Sequence, residues 1–493
     1  MKQFFTTLAL LCIATTASAQ NSDLDSDFKK EFEQFRNSAT KSYANFRAKA
    51  NSDYAEFLKK AWQEFQVAPE LEAPQVDPPV QPVAPPAPKP TPKPEPKPTP
   101  KPEPQVPVVV KPQPVAPEPA KPTIPQVPSE PMVVQMPVKF FGVDCKVRLK
   151  VGTGEVIVND ANEHSVSNAW KELCDGRFDK MLLDCVNIRN GLKLSDWGYY
   201  LLTKSVAEEF CEAKCTNNTK MLQAYLMTQA GYQIRLARVE SKLFLMLPSS
   251  SVIYGKKYVK LNDTNYYFLD EDYPGGRFYL CTAPFPGEKG FSIRMDQQPL
   301  LPYAKSNKLS THQSKKYPEL KVTFEANQNL IDFYNTYPCS RWDNFSYSSL
   351  SHEAKATLYP ILRSAIAGKS EIAAANMLIN FVQTGFKYKT DQEQFGYERP
   401  LFGDESLHYD YCDCEDRAIL YSILVRDLLG LNVALVDYPN HIAAAVCFNG
   451  VYGDYFTING KKYTICDPTY IGASVGMTMP DMNNNEAKLI PLE

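Results

Sequence analysis

Between residues 67 and 137 the chain places 26 of its 40 prolines, including the run PKPTPKPEPKPTPKPEP at 88–104. Each proline holds φ at about −65° and removes a backbone N–H, so this stretch can build neither a helix nor a sheet ladder. What remains is an extended polyproline-type segment with alternating Lys and Glu. At about 3.1 Å per residue its reach approaches roughly 200 Å. A spacer is its simplest role, and recognition by a proline-reading partner is the second. The segment divides the chain into a helical stretch before it and a globular body after it.

Ahead of the spacer, residues 20–66 carry a repeat of eleven. Phe32, Tyr43, Tyr54 and Phe65 are spaced by eleven, as are Phe35, Phe46 and Phe57, and Ala39, Ala50 and Ala61. Eleven residues over three turns keep these side chains on one face of a nearly straight amphipathic helix. An aromatic stripe of that length needs a cover. Self-association, packing on the C-terminal body or docking on an envelope component would each supply one; a solvated helix with a modest stripe is the plainer alternative.

The extreme N-terminus points to export. Lys2, the apolar run from Phe4 to Ile13, and Ala17-Ser18-Ala19 before Gln20 form the pattern of a secretory signal peptide spanning 1–19. No other stretch approaches the roughly 20 apolar residues of a membrane span. The expected location is periplasmic, or secreted to the cell surface. A net charge of −3 argues against a nucleic-acid partner. Setting aside Cys12 of the signal leaves an odd number of cysteines, so an oxidising compartment leaves at least one thiol unpaired within the chain.

From 138 onward, strand and helix patterns alternate in an α+β sense, over a length that suits two domains, 138–300 and 301–493. CTNNTKMLQAYLMTQAG from Cys215 lies well beneath CEDRAILYSILVRDLLG from Cys414, with Gly231 and Gly430 both sixteen residues on, where a helix closes. Asp270 and Asp467 follow the two cysteines at 55 and 53 residues, and RNGLKLSDW at 189–197 parallels TGFKYKTD at 384–391. These features read as two tandem copies of one unit.

In the second copy Cys414 opens an apolar helix, where unpaired N–H groups and the helix dipole favour a thiolate. Of five histidines, His441 begins the strand pattern HIAAAVCF after LNVALVDY, and Asp467 closes YTICD beyond the Asn459-Gly460 turn. Three consecutive elements would therefore bring a nucleophile, a base and an orienting carboxylate to one edge. Other uses of these residues are weaker. His408, Cys412 and Cys414 could begin a metal site, but no second ligand pair of usual spacing follows. A bridge between Cys412 and Cys414 would strain the backbone, whereas Cys447–Cys466 is a plausible bridge between neighbouring strands. Asp467 alone suits a turn before proline, and His441 alone a structural role.

The pattern CEDRAILYSILVRDLLG, a lone His opening a strand and DPT closing the next resembles the transglutaminase-like branch of the papain superfamily, over roughly 375–475. The resemblance implies a papain-like core and a Cys-His-Asp triad, Cys414, His441 and Asp467, acting on peptide or protein amides. It departs from the family in Asp413, where a small residue is usual, and in Ile442-Ala443, where many relatives carry an aromatic pair. Asp416 reads as a first-turn or capping residue. The backbone N–H of Cys414 would be one oxyanion donor, and of Gln383, Gln392 and Gln394 upstream, Gln394 is taken as the second.

The expected activity is thiol-dependent acyl transfer. Hydrolysis is favoured over transamidation because water is always at hand, and no cofactor or metal is called for. The first copy has Lys242 where His441 would stand and reads as a binding or scaffolding domain, with Cys211 and Cys215 structural. The rival class for the whole protein is a non-catalytic binding module on the same fold.

Overall fold

The computed structural model describes residues 26–74, 83–84, 133–214, 216–269, 273 and 275–492, with side chains omitted for 26–37 and 39. The expected signal peptide, most of the proline-rich spacer, and Cys12, Cys215 and Asp270 lie outside the described residues. Among the described residues no helix is long and apolar enough to cross a membrane.

Helix α1 runs Ser26–Leu58, short of the expected end at 66. Trp62 ends it: the indole is buried and its Nε1 donates to the Leu58 carbonyl at 3.0 Å, turning the chain inward. Phe65 therefore belongs to strand β1 (Gln63–Gln66) and stacks on Phe278. On α1, Ala50, Tyr54, Ala55 and Leu58 form a buried face against the globular body, fixed by Tyr54 edge-on to Trp170 at 4.8 Å. Arg47 extends the docking through Gln229 (2.7 Å), the Tyr225 hydroxyl (2.9 Å) and Asp179 (2.8 Å). The aromatic repeat is thus split, since Tyr54 goes inward while Tyr43, Phe46 and Phe57 stay exposed.

The first half then forms the hairpin β2 (Val133–Phe140) and β3 (Val143–Lys150). Four helices follow: α2 (Glu163–Leu173), α3 (Asp179–Gly191), α4 (Asp196–Phe210) and α5 (Asn217–Gln229). Strands β4 (Arg235–Val239), β5 (Lys242–Ser249), β6 (Tyr258–Leu261), β7 (Thr264–Phe268) and β8 (Arg277–Leu280) complete it. The antiparallel sheet has the order β1-β8-β4-β5-β7-β6. Ala68, just beyond β1, bridges Tyr258 of β6 at the opposite edge, so residues 63–68 tie the two edges together around Phe244, Phe268, Tyr273 and Phe278. The globular body therefore begins well before 138: residues 63–74 and 133–137, assigned to the helix and spacer by sequence, are built into it.

Arg148 of β3 clamps the hairpin to α3 through a two-pronged pair with Asp184, both nearly fully buried (2.7 Å at Nη2). Removing one member leaves the other charge uncompensated in the interior. Arg148→Met is expected to cost about 3–5 kcal/mol, measured by urea unfolding, with Arg148→Met/Asp184→Leu recovering most of the loss.

The second half opens with the hairpin β9 (Lys305–Gln313) and β10 (Lys321–Asn327). Helices α6 (Gln328–Tyr334), α7 (Asp343–Ser346), α8 (His352–Ile366) and α9 (Glu371–Gly385) come next. Strand β11 (Lys387–Tyr388), helices α10 (Asp391–Gln394) and α11 (Gly403–His408), and strand β12 (Tyr411–Cys412), which pairs in parallel with β11, lead to helix α12 (Cys414–Leu429). The last strands are β13 (Val433–Tyr438), β14 (His441–Val446), β15 (Tyr455–Ile458), β16 (Lys461–Cys466) and β17 (Lys488–Pro491), in the order β15-β16-β14-β13-β17.

In both halves a helix precedes five strands whose spatial order is third, fourth, second, first, fifth. Gly231 and Gly430 both adopt positive φ just past the helix. The boundary expected at 300/301 does not separate two cores, because one apolar cluster runs from α1 through both sets of helices to Leu492.

Candidate active site

Helix α12 is buried along most of its length. Ala418 through Val425 are all buried between the sheet and the neighbouring helices, and Arg417 is wholly buried with them. Its guanidinium reaches the carbonyls at the end of α9, Phe386 at 3.0 Å and Gln383 at 3.5 Å, where the helix dipole is negative. That contact fixes the start of α12 against α9.

Topology brings the three predicted groups to one end. Helix α12 rises about 24 Å and β13 returns about 20 Å alongside it, so the β13–β14 turn comes back to the level of Cys414. His441 is the first residue of β14, opposite Tyr438. Strand β16 pairs with β14 at Ala444↔Cys466, which delivers Asp467 to the same edge.

His441 and Asp467 are bonded: Nε2 to Oδ2 is 2.8 Å, with both side chains buried. The other carboxylate oxygen, Oδ1, accepts from the Thr469 and Tyr470 backbone N–H groups at 2.8 and 3.0 Å, the asparate-turn geometry expected before proline. Asp467 thus serves both the turn and the imidazole. A proton held on Nε2 toward Asp467 leaves Nδ1 as a lone-pair acceptor, and Nδ1 is buried without a hydrogen bond. Cys414 is also fully buried, and its Sγ faces the Glu415 carboxylate at 3.4 Å. The structure therefore joins two of the three predicted groups; no hydrogen bond links His441 Nδ1 to the sulfur.

The glutamines separate into distinct roles. Gln383 is wholly committed to the loop after Asp467, its Nε2 donating to the carbonyls of Asp467, Tyr470 and Ala473 while its Oε1 accepts from Gly472. Gln394 ends α10 and is half-buried. Helix α10 touches the nucleophile's neighbour, since the Asp391 N–H donates to Asp413 at 3.2 Å.

The sequence pointed to Asp413 as a departure from the family and to Asp416 as a capping residue, which it is, but did not join them with Asp391, Glu398 and Glu415 into a cluster around Cys414. Asp391, Asp413 and Asp416 bring oxygens within 4.8 Å of one another, and Asp391, Glu398 and Glu415 form a second such group. Glu415 is fully buried with Oε1 lacking a hydrogen bond, and burial, followed by the charges of Asp413 and Cys414, pushes its carboxyl well above the usual range. Burial likewise pushes Asp416 up to about 7, against the opposing pull of N–H bonds from Leu401 (2.8 Å) and Asp413 (3.4 Å). All-oxygen donors of this kind could hold a hard divalent cation of the calcium or magnesium class. The Asp-Cys-Glu-Asp run at 413–416, read together with Asp391, was the available signal.

The sulfur-based alternatives fare differently. Among the described residues both groups that could hold a metal are all-carboxylate, so His408, Cys412 and Cys414 do not assemble one. Cys447 and Cys466 are both free. Cys466 lies opposite Ala444 and Val446 opposite Thr464, which puts Cys447 out of register and on the other face of the sheet, so the bridge considered from sequence is not formed. Burial pushes Cys412 to about 11 and Cys466 to about 12, which holds both as inert thiols. In the first half Lys242 begins β5 opposite Val239, the position that His441 holds opposite Tyr438.

Comparison of the chain with protein-family models, curated proteins and solved structures finds no match.

Proposed function

We propose that the protein is an exported thiol-dependent acyl-transfer enzyme acting on peptide or protein amides, built on a transglutaminase-like core present in two copies, of which only the second is active. The observation that carries this reading is the buried His441–Asp467 pair, with Nδ1 left as an acceptor at the end of the sheet where Cys414 opens α12. The shared strand order of the two sheets supports the duplication, and Lys242 in place of a histidine supports an inactive first copy, because a lysine is a poor neutral base unless its pKa falls far.

In this mechanism His441 Nδ1 takes the Cys414 proton as the sulfur attacks the amide carbonyl, forming a C–S bond and an oxyanion. The Cys414 backbone N–H, at the positive end of α12, donates to that oxyanion, and the half-buried Gln394 amide is the second donor. Collapse breaks the C–N bond, and His441 returns the proton to the departing amine. Water then attacks the thioester with His441 again as base, releasing the acid and restoring the thiol; an amine in place of water gives transamidation.

A second reading, a non-catalytic binding module, is favoured by one observation: Cys414, His441 and Asp467 are all sealed from solvent, with the sulfur turned to Glu415. Labelling with a small neutral thiol probe at neutral pH separates the two. Selective alkylation of Cys414, lost in His441→Ala, is the expected result; labelling that is absent, or indifferent to His441, favours the binding module.

A further inference from the structure

Between the two halves lies a cleft of about 1450 Å³, lined by rings from both: Trp197, Tyr200 and Tyr254 from the first, Tyr337 and Tyr397 from the second. Its walls are mutually fixed. Trp197 packs on Tyr337 at 5.8 Å and its Nε1 donates to Thr336 Oγ1 at 2.9 Å, while the Tyr254 N–H donates to the Cys339 carbonyl at 2.9 Å. Charges of both signs line the same cleft, Lys204 and Lys256 against Glu70, Glu72 and Glu398.

We propose that this cleft is a binding site for a proline-rich polypeptide of alternating charge, and that its occupant is residues 88–104 of this chain. Aromatic walls suit the chemistry. A polyproline-type helix is already extended, so docking costs little ordering entropy; proline rings stack on aromatic faces, and phenol hydroxyls donate to its unpaired carbonyls.

Charge of both signs also matches, because the 88–104 run alternates four Lys with two Glu and the cleft lining carries both signs, Lys204 and Lys256 with Glu70, Glu72 and Glu398, Glu70 being also paired with Lys257 at 3.8 Å. The path leads there as well. Residues 70–73 form part of the cleft wall, held by the Gly255 N–H on the Leu71 carbonyl at 2.8 Å, and the proline-rich sequence continues directly from this edge. The chain is held again at Ala84, whose N–H donates to the Ile471 carbonyl at 2.7 Å. From Ala84 to 104 the chain can span roughly 60 Å, and from 104 to Val133 roughly 90 Å, at about 3.1 Å per residue. A folded body of this size has a radius of gyration of about 21 Å, so docking within one chain is within reach.

The test uses a fluorescent synthetic peptide of residues 88–104, followed by anisotropy, with three proteins: the full chain, a full-length variant in which 88–104 is replaced by Gly-Ser of equal length, and that variant carrying Tyr397→Ser or Tyr254→Ser. A tethered segment competes at an effective concentration in the millimolar range, so the peptide is expected to bind the Gly-Ser variant at least about tenfold more tightly than the full chain. Each Tyr→Ser substitution is expected to weaken that binding about tenfold, and a peptide with every Pro changed to Ala is expected not to bind. Tyr397 is 59% exposed, so its substitution does not threaten the fold. Failure of the peptide to bind the Gly-Ser variant overturns the proposal. So does equal binding to the full chain, indifference to both tyrosines, or equal binding of the Ala peptide. None of these readouts requires turnover, so the outcome is separate from that of the thiol chemistry.

Discussion

Cys414→Ala is expected to abolish amide turnover and thioester formation with little change in thermal unfolding, and His441→Ala to lower turnover by about 10²–10⁴-fold and to lower the melting temperature as well, because it leaves the buried Asp467 carboxylate without its partner. The first change removes the sulfur that carries the acyl group in this mechanism. The second leaves the sulfur in place but takes away its proton acceptor. Asp467→Asn tests the pair from the other side. The amide can offer its Nδ2–H toward Nε2, which favours the tautomer protonated on Nδ1 and so removes the lone pair that must accept the thiol proton. Its expected loss is of the same order as that of His441→Ala, and the double variant is expected to be little worse than either single one, because the two groups act as a unit. Fluorogenic amide substrates with mass detection of the acyl-enzyme provide the measurement. Turnover retained by Cys414→Ala would sink the assignment.

The half of this site that was legible in sequence depended on local signals. A cysteine opening an apolar helix, a histidine opening a strand and an Asp-Pro closing the next each announce their own element, and their order placed them at one edge. What sequence could not carry was contact between distant segments. Glu415 and Asp416 look like ordinary first-turn acids, and only the approach of the 391–401 stretch, through Asp391 on Asp413 and Leu401 on Asp416, encloses them in a buried cluster. The aromatic repeat shows the same limit. A period of eleven predicts the helix itself as far as Leu58 but not which of its rings are covered, and the decision to end the helix belongs to Trp62, which finds a buried seat on the globular body. The alignment of the two halves placed Lys242 where His441 stands, and both residues do open the second strand of a hairpin; what the alignment did not carry was the strand order that the two sheets share.

The buried acids make stability depend on pH in the direction opposite to that of most carboxylates. Asp416 is raised from 3.8 to about 7 by burial, and Glu415 is raised well above its ordinary value. Between the unfolded and folded values the native state holds protons that the unfolded chain has lost, so the unfolding free energy falls as pH rises. The stabilisation is complete below about pH 4 and is lost as pH climbs through about 7; for Asp416 alone its size is on the order of 4 kcal/mol. In the presence of a chelator, the melting temperature is therefore expected to fall between pH 5 and pH 8. A hard cation bound by these carboxylates would replace the missing protons, and its binding requires the ionised form. Millimolar calcium is accordingly expected to restore several degrees at pH 8 and almost none at pH 5, since saturation at a hundred times Kd contributes about 2.7 kcal/mol. It would also offset the negative field that Asp413 and Glu415 place beside Cys414, so alkylation of the thiol at pH 8 should quicken with calcium. Glu415→Gln removes one buried charge and one ligand together, and should raise the melting temperature at pH 8 in chelator while blunting the calcium response. A melting temperature that stays flat from pH 5 to 8 in chelator, or a calcium effect equal at both pH values, would show that these carboxylates are neutralised by some other group.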